Sequence, residues 1–234
     1  MTQQHTLWAI VPAAGIGRRM GASVPKQYLT LHAKKVIDWT LSRLLQCDVF
    51  RAIYVATSAR DTLWPTCENA HHPLVRQVIG GAERADTVRL SLVALLNEAD
   101  AQDWVLVHDA ARPCIDPADV NKLVHTVQSQ PYEGGLLGVP VSDTIKWVSP
   151  TQTVEKTLDR DRVWRAFTPQ MFRIGALHDA LVSAQQNAWN ITDEASAMEK
   201  VGVNAVMVEG RSDNIKITRT EDLVYAEQVL RPTP

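Results

Sequence analysis

The sequence predicts a doubly wound α/β sandwich on a mostly parallel sheet, with a β-hairpin inserted late in the chain. Three observations carry that prediction. Short, continuous apolar runs rich in β-branched residues recur along the chain, segments with helical spacing alternate with them, and a glycine loop directly follows the first run. Continuous apolar runs suit strands covered on both faces, the condition of a parallel sheet. Ligands of such folds sit at the carboxyl ends of the strands.

The elements follow in order. Leu7 to Val11 reads as the first buried strand, Ala52 to Ala56, Trp104 to His108 and Ala205 to Val208 read the same way, and Leu74 to Ile79 is a further strand. Val36 to Leu45 has apolar residues at helical spacing, and Thr87 to Leu96 places Val88, Leu92 and Leu95 on one helical face. Asp116 before Pro117 is an N-cap followed by a first-turn proline, so a helix is expected from Pro117 to Val127. Thr220 is read as the cap of the last helix, with Glu221 and Asp222 in its first turn. One stretch breaks the rhythm. From Gly138 to Leu158 the chain reads as strand, turn, strand, with Ser149-Pro150 at the turn. A hairpin of that kind has edges that need covering, and Trp147 on it points to a partner subunit as the cover. The organisation expected is one domain over residues 1–234 with a β-arm at about 138–158.

Composition narrows the function. The 234 residues are 45% hydrophobic and carry a net charge of -2, enough for a large core and too little basic excess to hold nucleic acid by a general field. Cys47, Cys67 and Cys114 are sparse and odd in number, so buried free thiols are expected rather than disulfides or a zinc site. The apolar stretch from Leu7 to Ala14 has no cationic region before it and is interrupted by Pro12, which makes a poor signal peptide and is too short to span a bilayer. A cytoplasmic enzyme without membrane contact is the expectation.

Four segments carry chemistry. Pro12-Ala13-Ala14-Gly15-Ile16-Gly17-Arg18-Arg19-Met20 follows the first strand, where small residues admit a ligand to the backbone and successive N–H groups can cradle phosphate. The third glycine of the dinucleotide fingerprint and the Walker Gly-Lys-Ser/Thr are both missing. Arg18, Arg19 and Lys26 follow instead, and a glycine loop joined by cations suits a nucleoside triphosphate. Gly80-Gly81-Ala82 ends another strand, with Thr87 near a base or ribose; read alone, it equally fits a turn capped by Asp86. His108-Asp109-Ala110-Ala111-Arg112-Pro113 puts a carboxylate at a strand's carboxyl end. There Asp109 is a natural Mg²⁺ ligand, a helix cap or a partner of Arg112, and His108 is given no role. Asp213 to Thr218 brings Lys216 to the end of a late strand, although read alone it fits a solvated surface lysine better.

Together these segments resemble the 2-C-methyl-D-erythritol 4-phosphate cytidylyltransferase family of the non-mevalonate isoprenoid pathway. The resemblance spans nearly the whole chain. It includes the first loop, Pro25-Lys26-Gln27-Tyr28, Gly80-Gly81, His108 to Pro113, Asp143 to Lys146, Thr168-Pro169-Gln170, Ile191 to Ser196, and Val208 to Lys216. It implies a Rossmann-like nucleotidyltransferase that transfers CMP from CTP, with Mg²⁺, as a homodimer joined through the β-arm. Nucleotide contacts are implied for Pro12, Ala13, Ala14, Gly15, Gly17, Gly80, Gly81, Ala82, Thr87 and Ala110. Arg19 and Lys26 match the cations that act on the transition state, Lys216 matches a residue on the acceptor phosphate and is expected to join them in catalysis, and Asp109 matches the metal-binding and substrate-side carboxylate. Arg112, Thr144, Thr168 and Thr192 match the residues that hold methylerythritol phosphate. Arg160 matches an arginine that reaches the neighbouring subunit's substrate. Two positions depart from the pattern: Ala82 stands where an acidic residue is frequent, and Thr87 where a serine is. The chain stops at Pro234, so the cyclase domain fused to some relatives is not expected.

The competing readings are a ribitol-5-phosphate cytidylyltransferase, a nucleotidyltransferase using another base and a sugar 1-phosphate, and a non-catalytic nucleotide sensor. A dinucleotide-dependent dehydrogenase is the weakest, lacking the third glycine and a ribose-binding acid after a second strand.

Overall fold

The computed structural model describes residues 5–15 and 24–231. Its strands are β1 (Leu7–Pro12), β2 (Thr30–Leu31), β3 (Lys34–Lys35), β4 (Ile53–Thr57), β5 (Val75–Ile79), β6 (Trp104–Val107), β7 (Gly134–Pro140), β8 (Lys146–Val148), β9 (Val154–Thr157), β10 (Trp164–Arg173) and β11 (Val206–Glu209). The helices are α1 (Val36–Leu45), α2 (Arg84–Leu95), α3 (Pro117–Ser129), α4 (Ile174–Gln186), α5 (Glu194–Lys200) and α6 (Thr220–Val229).

Seven strands form one sheet in the order β11-β7-β10-β6-β1-β4-β5. Every neighbouring pair is parallel except those made by β10, which runs antiparallel to both β6 and β7. Side chains alternate across each strand. Leu7, Ala9 and Val11 of β1 therefore join the core under α1 and α3, while Trp8 and Ile10 join the core under α2, α4 and α5. A third cluster, around Leu31, Val36, Ile217, Ala226 and Leu230, fastens α6 beside β2 and α1. The expected sandwich is thus present, and β1, β4, β6 and β11 match the apolar runs that announced them.

Helix α2 shows packing overruling propensity. Asp86, Thr87 and Ser91 are poor helix formers worth a few tenths of a kcal/mol each, whereas burying one large aliphatic side chain stabilises by about 2 kcal/mol. Val88, Leu92 and Leu95 are fully buried, so the helix forms. It begins at Arg84, one turn before the expected start, and Asp86 pairs with Arg89 at 2.6 Å rather than capping. Asp116 does cap α3, accepting from the Ala118 N–H at 2.8 Å with Pro117 in the first turn. At α6, Thr220 is the first helical residue and not the cap. The carboxylate of Asp222 accepts from the Thr218 and Arg219 N–H groups at 2.7 and 2.8 Å and satisfies that terminus instead.

β7, β10, α4 and α5 were not among the expected elements. The expected arm also starts too early, because residues 138–140 belong to β7 of the main sheet. The hairpin proper is β8 with β9, antiparallel, and it leaves Trp147, Val148 and Val154 about half exposed. Among the described residues no helix is long and apolar enough to cross a membrane. Cys47, Cys67 and Cys114 are free and buried, as expected.

Candidate functional site

The chain order across the sheet sets the site. From β1 the sheet grows through β4 to β5 on one side, then reverses to place β6 on the other side of β1. The carboxyl ends of β1 and β6 flank this switch point, where open α/β sheets bind ligands. A cleft of about 250 Å³ opens there. It is lined by Pro12, Ala13, Ala14 and Gly15 after β1, by Lys26, by Gly81, Ala82 and Thr87 after β5, by Asp109 and Ala110 after β6, and by Lys216. Eleven of the residues singled out from sequence thus share one wall system. A larger hollow of about 790 Å³, around Gln102, Trp104, Tyr132 and Arg173, lies at the amino end of β6. It lacks the phosphate-type loops.

Asp109 is the electrostatic centre. Its carboxylate meets Arg84 Nε at 2.8 Å, Lys216 Nζ at 2.9 Å and Arg112 Nε at 3.4 Å. Burial alone pushes its carboxyl up, but the three cations prevail and hold it well below the usual carboxylate range. Arg84 in turn forms a fork-to-fork pair with the buried Glu194 at the start of α5. Burial lowers the Arg84 guanidinium, yet the two carboxylates outweigh it and leave it raised.

Late chain is stitched over this centre. Ile217 donates its N–H to Ala111 O at 2.8 Å, Arg112 Nη1 donates to Asn214 O at 2.8 Å, and Lys26 Nζ donates to Ile217 O at 2.9 Å. These bonds hold the 214–217 segment against the Asp109 turn, which is why Lys216 reaches Asp109 from a distant part of the sequence.

The glycines contribute room. None of Gly15, Gly80 and Gly81 adopts a left-handed backbone. A Cβ on Gly80 would stand 2.7 Å from Ala14 Cβ and 2.8 Å from Thr87 Cγ2, so Gly80 lets the first loop pack against α2 from behind the cleft. A Cβ on Gly15 would meet no atom of the described residues within 4 Å.

The other expected residues fall in three places. The buried Thr168 hydroxyl accepts from the Asp109 N–H at 3.0 Å and lies 3.1 Å from His108 Nδ1. His108 Nε2 faces Arg112 O at 3.1 Å, so Nε2 is the protonated nitrogen and the Thr168 hydroxyl donates to Nδ1. Burial brings His108 down to about 4, and it acts as a satisfied structural group. Thr87 likewise spends its hydroxyl on Gly81, accepting from N–H at 3.1 Å. Thr192 borders an adjoining hollow of about 160 Å³ on the far side of Arg84. Thr144 and Arg160 are exposed at the hairpin, where Arg160 Nη1 donates to Ser142 O at 2.7 Å. Gly17 and Arg19 lie outside the described residues. Sequence reasoning missed Arg84 and Glu194 as a site pair. Glu194 sits in a quoted motif and Arg84 just after Gly80-Gly81-Ala82, but nothing in one sequence joins them.

Among the described residues, no group of three or more His, Cys, Asp or Glu side chains is placed to hold a metal ion. Among the described residues the cleft is lined by two carboxylates, Glu83 and Asp109, of which Asp109 is the one held among the cations. That suits a divalent ion that takes most of its oxygen ligands from a phosphate substrate and water.

Comparison with known proteins agrees with this geometry. Residues 7–232 match the family model described as 2-C-methyl-D-erythritol 4-phosphate cytidylyltransferase. A protein of that name from Hahella chejuensis is 47% identical over 230 residues, covering 98% of this chain and 95% of its own length. One from Vibrio cholerae is 47% identical over 223 residues, with 95% of each chain covered. The crystal structure of the Francisella tularensis protein of the same name superposes with a TM-score of 0.82 at 37% identity, covering 96% of this chain and 100% of that one.

Proposed function

The chain belongs to the 2-C-methyl-D-erythritol 4-phosphate cytidylyltransferase family, and we propose that the cleft around Asp109 is where it carries out that reaction. It transfers CMP from CTP to 2-C-methyl-D-erythritol 4-phosphate, giving 4-diphosphocytidyl-2-C-methyl-D-erythritol and pyrophosphate, a step of isoprenoid precursor biosynthesis. The observation that supports this location is the convergence of Lys216, Arg84 and Arg112 on one buried carboxylate beside a glycine loop.

The acceptor's phosphate attacks the α-phosphorus of CTP. A new P–O bond forms, the bond from the α-phosphorus to the α,β-bridging oxygen breaks, and pyrophosphate leaves with that electron pair. A phosphate monoester is largely dianionic near neutral pH, its second pKa being about 6. The attacking oxygen therefore needs no general base. What opposes reaction is repulsion between anions, so catalysis rests on positioning and on cations. In this reading Pro12, Ala13, Ala14, Gly15 and Gly17 receive the triphosphate, and Arg19 and Lys26 neutralise charge on it. Gly80, Gly81, Ala82, Thr87 and Ala110 frame the cytidine. Lys216 and Arg112 face the acceptor phosphate, with Thr144, Thr168, Thr192 and Arg160 completing its surroundings. The hydroxyls of Thr168 and Thr87 are already engaged within the protein, which favours an indirect part for both. Mg²⁺ would be held by Asp109 together with phosphate oxygens, supplying positive charge at the phosphates.

The whole chain acts as one nucleotidyltransferase unit in this reading, with β8 and β9 as a homodimer arm. The exposed Trp147, Val148 and Val154 support that assignment, since apolar side chains on an otherwise solvated hairpin call for a cover. Buried free thiols and small phosphorylated substrates fit a cytoplasmic location. The test is pyrophosphate release from CTP with methylerythritol phosphate, which Asp109→Asn should abolish while the protein remains folded.

A further inference from the structure

Gln27 has no part in the chemistry set out above, yet it is among the most enclosed polar side chains of the cleft, 4% exposed. Its amide Nε2 donates to Ala13 O at 2.7 Å and to Gly15 O at 3.1 Å. Both partners are carbonyl oxygens, which only accept, so the nitrogen and not the amide oxygen must face them. Two N–H bonds from one side chain therefore pin two alternate carbonyls of the first loop.

The consequence follows from peptide geometry. A trans peptide is planar, and its C=O and N–H point in opposite directions. Holding Ala13 C=O on Gln27 turns the Ala14 N–H away from Gln27. The N–H of Ala13 is committed to Ala56 O at 2.7 Å, whereas those of Ala14 and Gly15 meet no acceptor among the described residues. Ala14 and Gly15 line the cleft. The platform beneath Gln27 is itself fixed: the neighbouring Tyr28 is buried and donates its hydroxyl to Asp61 Oδ2 at 2.6 Å.

We infer that Gln27 is a positioning residue for the nucleotide, locking the Ala13 carbonyl inward so that the Ala14 N–H stands ready for the triphosphate of CTP. Without that lock, carbonyl oxygens are free to turn toward the phosphates and repel them. The effect belongs to nucleotide binding and not to the acceptor, because Gln27 makes no bond to the 214–217 segment or to the Asp109 turn. The inference rests on Ala14 and Gly15 receiving the triphosphate.

The experiment compares Gln27→Glu, Gln27→Met and Gly15→Val with the parent enzyme, measuring kcat and both KM values alongside the urea midpoint. Gln27→Glu is isosteric but sets acceptors against the two carbonyls, and Gln27→Met removes both donors without adding charge. The expected result is a KM for CTP raised at least about tenfold by Gln27→Glu and less by Gln27→Met, with the KM for methylerythritol phosphate unchanged within about twofold. Gly15→Val, whose Cβ meets none of the described residues within 4 Å, should raise the KM for CTP without loss of stability. If Gly15→Val impairs CTP binding while both Gln27 variants leave it unchanged or weaken both substrates equally, Gln27 is only a packing residue and the inference is overturned. If none of the three changes the KM for CTP, the loop does not hold the triphosphate and both readings fall.

Discussion

Arg84 and Glu194, 110 residues apart in sequence, meet fork to fork, with Nη1 to Oε1 at 2.6 Å and Nη2 to Oε2 at 3.0 Å. The remaining Arg84 donor, Nε, reaches Asp109. One guanidinium thus ties the start of α5 to the carboxylate at the centre of the cleft, and it separates that cleft from the hollow beside Thr192.

Removing the arginine should expose the cost of that arrangement. Glu194 is 1% exposed, and a buried carboxylate stripped of its partner destabilises by about 3–5 kcal/mol. Arg84→Met is therefore expected to lower the unfolding free energy by about 3 kcal/mol, read from urea titration. Adding Glu194→Leu should recover much of the loss. An undiminished urea midpoint for Arg84→Met would show that water, not Arg84, satisfies Glu194.

Lys26 is expected to act on the transition state. Lys26→Ala should lower kcat by about a hundredfold or more and change the KM for CTP far less, the pattern of an interaction strengthened only during reaction. A change confined to KM would assign Lys26 to ground-state binding of the triphosphate.

The hairpin arm makes a prediction about subunits. In mixed dimers pairing Arg160→Ala with a subunit inactivated at Lys216, activity should depend on which subunit carries which change. If Arg160 serves the neighbouring site, separate subunits carrying one change each leave one intact site, in which a native Lys216 is served by the partner's Arg160, whereas both changes in one subunit leave no intact site. The reverse pattern, with activity only when both changes share one subunit, would place Arg160 in its own subunit's site, and equal activity would mean that it serves neither.

The cysteines should be inert in the native protein. Burial pushes the thiols of Cys47, Cys67 and Cys114 up to about 12. At pH 8 the thiolate fraction is then on the order of one in ten thousand, and the thiolate is the reactive form. Ellman's reagent should register no thiol until denaturant is added, then three per chain. A thiol that reacts in the folded protein would contradict the burial described.

Much of the sheet was legible because parallel strands buried on both faces leave an unmistakable trace: Leu7 to Val11 and Trp104 to Val107 are apolar without interruption. β10 was not, since Trp-Arg-Ala-Phe-Thr-Pro-Gln-Met-Phe-Arg mixes charge, a proline and aromatics, and its antiparallel place between β6 and β7 is fixed by tertiary packing. Hydrogen bonds decided the caps where side-chain type misled, as Asp222 displaced Thr220 at α6. At the site, the loops after β1, β5 and β6 could be read because small residues and a carboxylate at strand ends have few other uses. What Thr168 and Thr87 do with their hydroxyls, and that Gln27 faces two carbonyls, depends on contacts that no local pattern encodes.

The most direct measurement is pyrophosphate release from CTP and Mg²⁺ with methylerythritol phosphate and ribitol 5-phosphate offered in parallel, on the parent enzyme and on Asp109→Asn. Rapid release with methylerythritol phosphate, none with ribitol phosphate and none with the variant is the predicted result. Full activity in Asp109→Asn would contradict the placement of the reaction at this cleft, and preference for ribitol phosphate would contradict the acceptor.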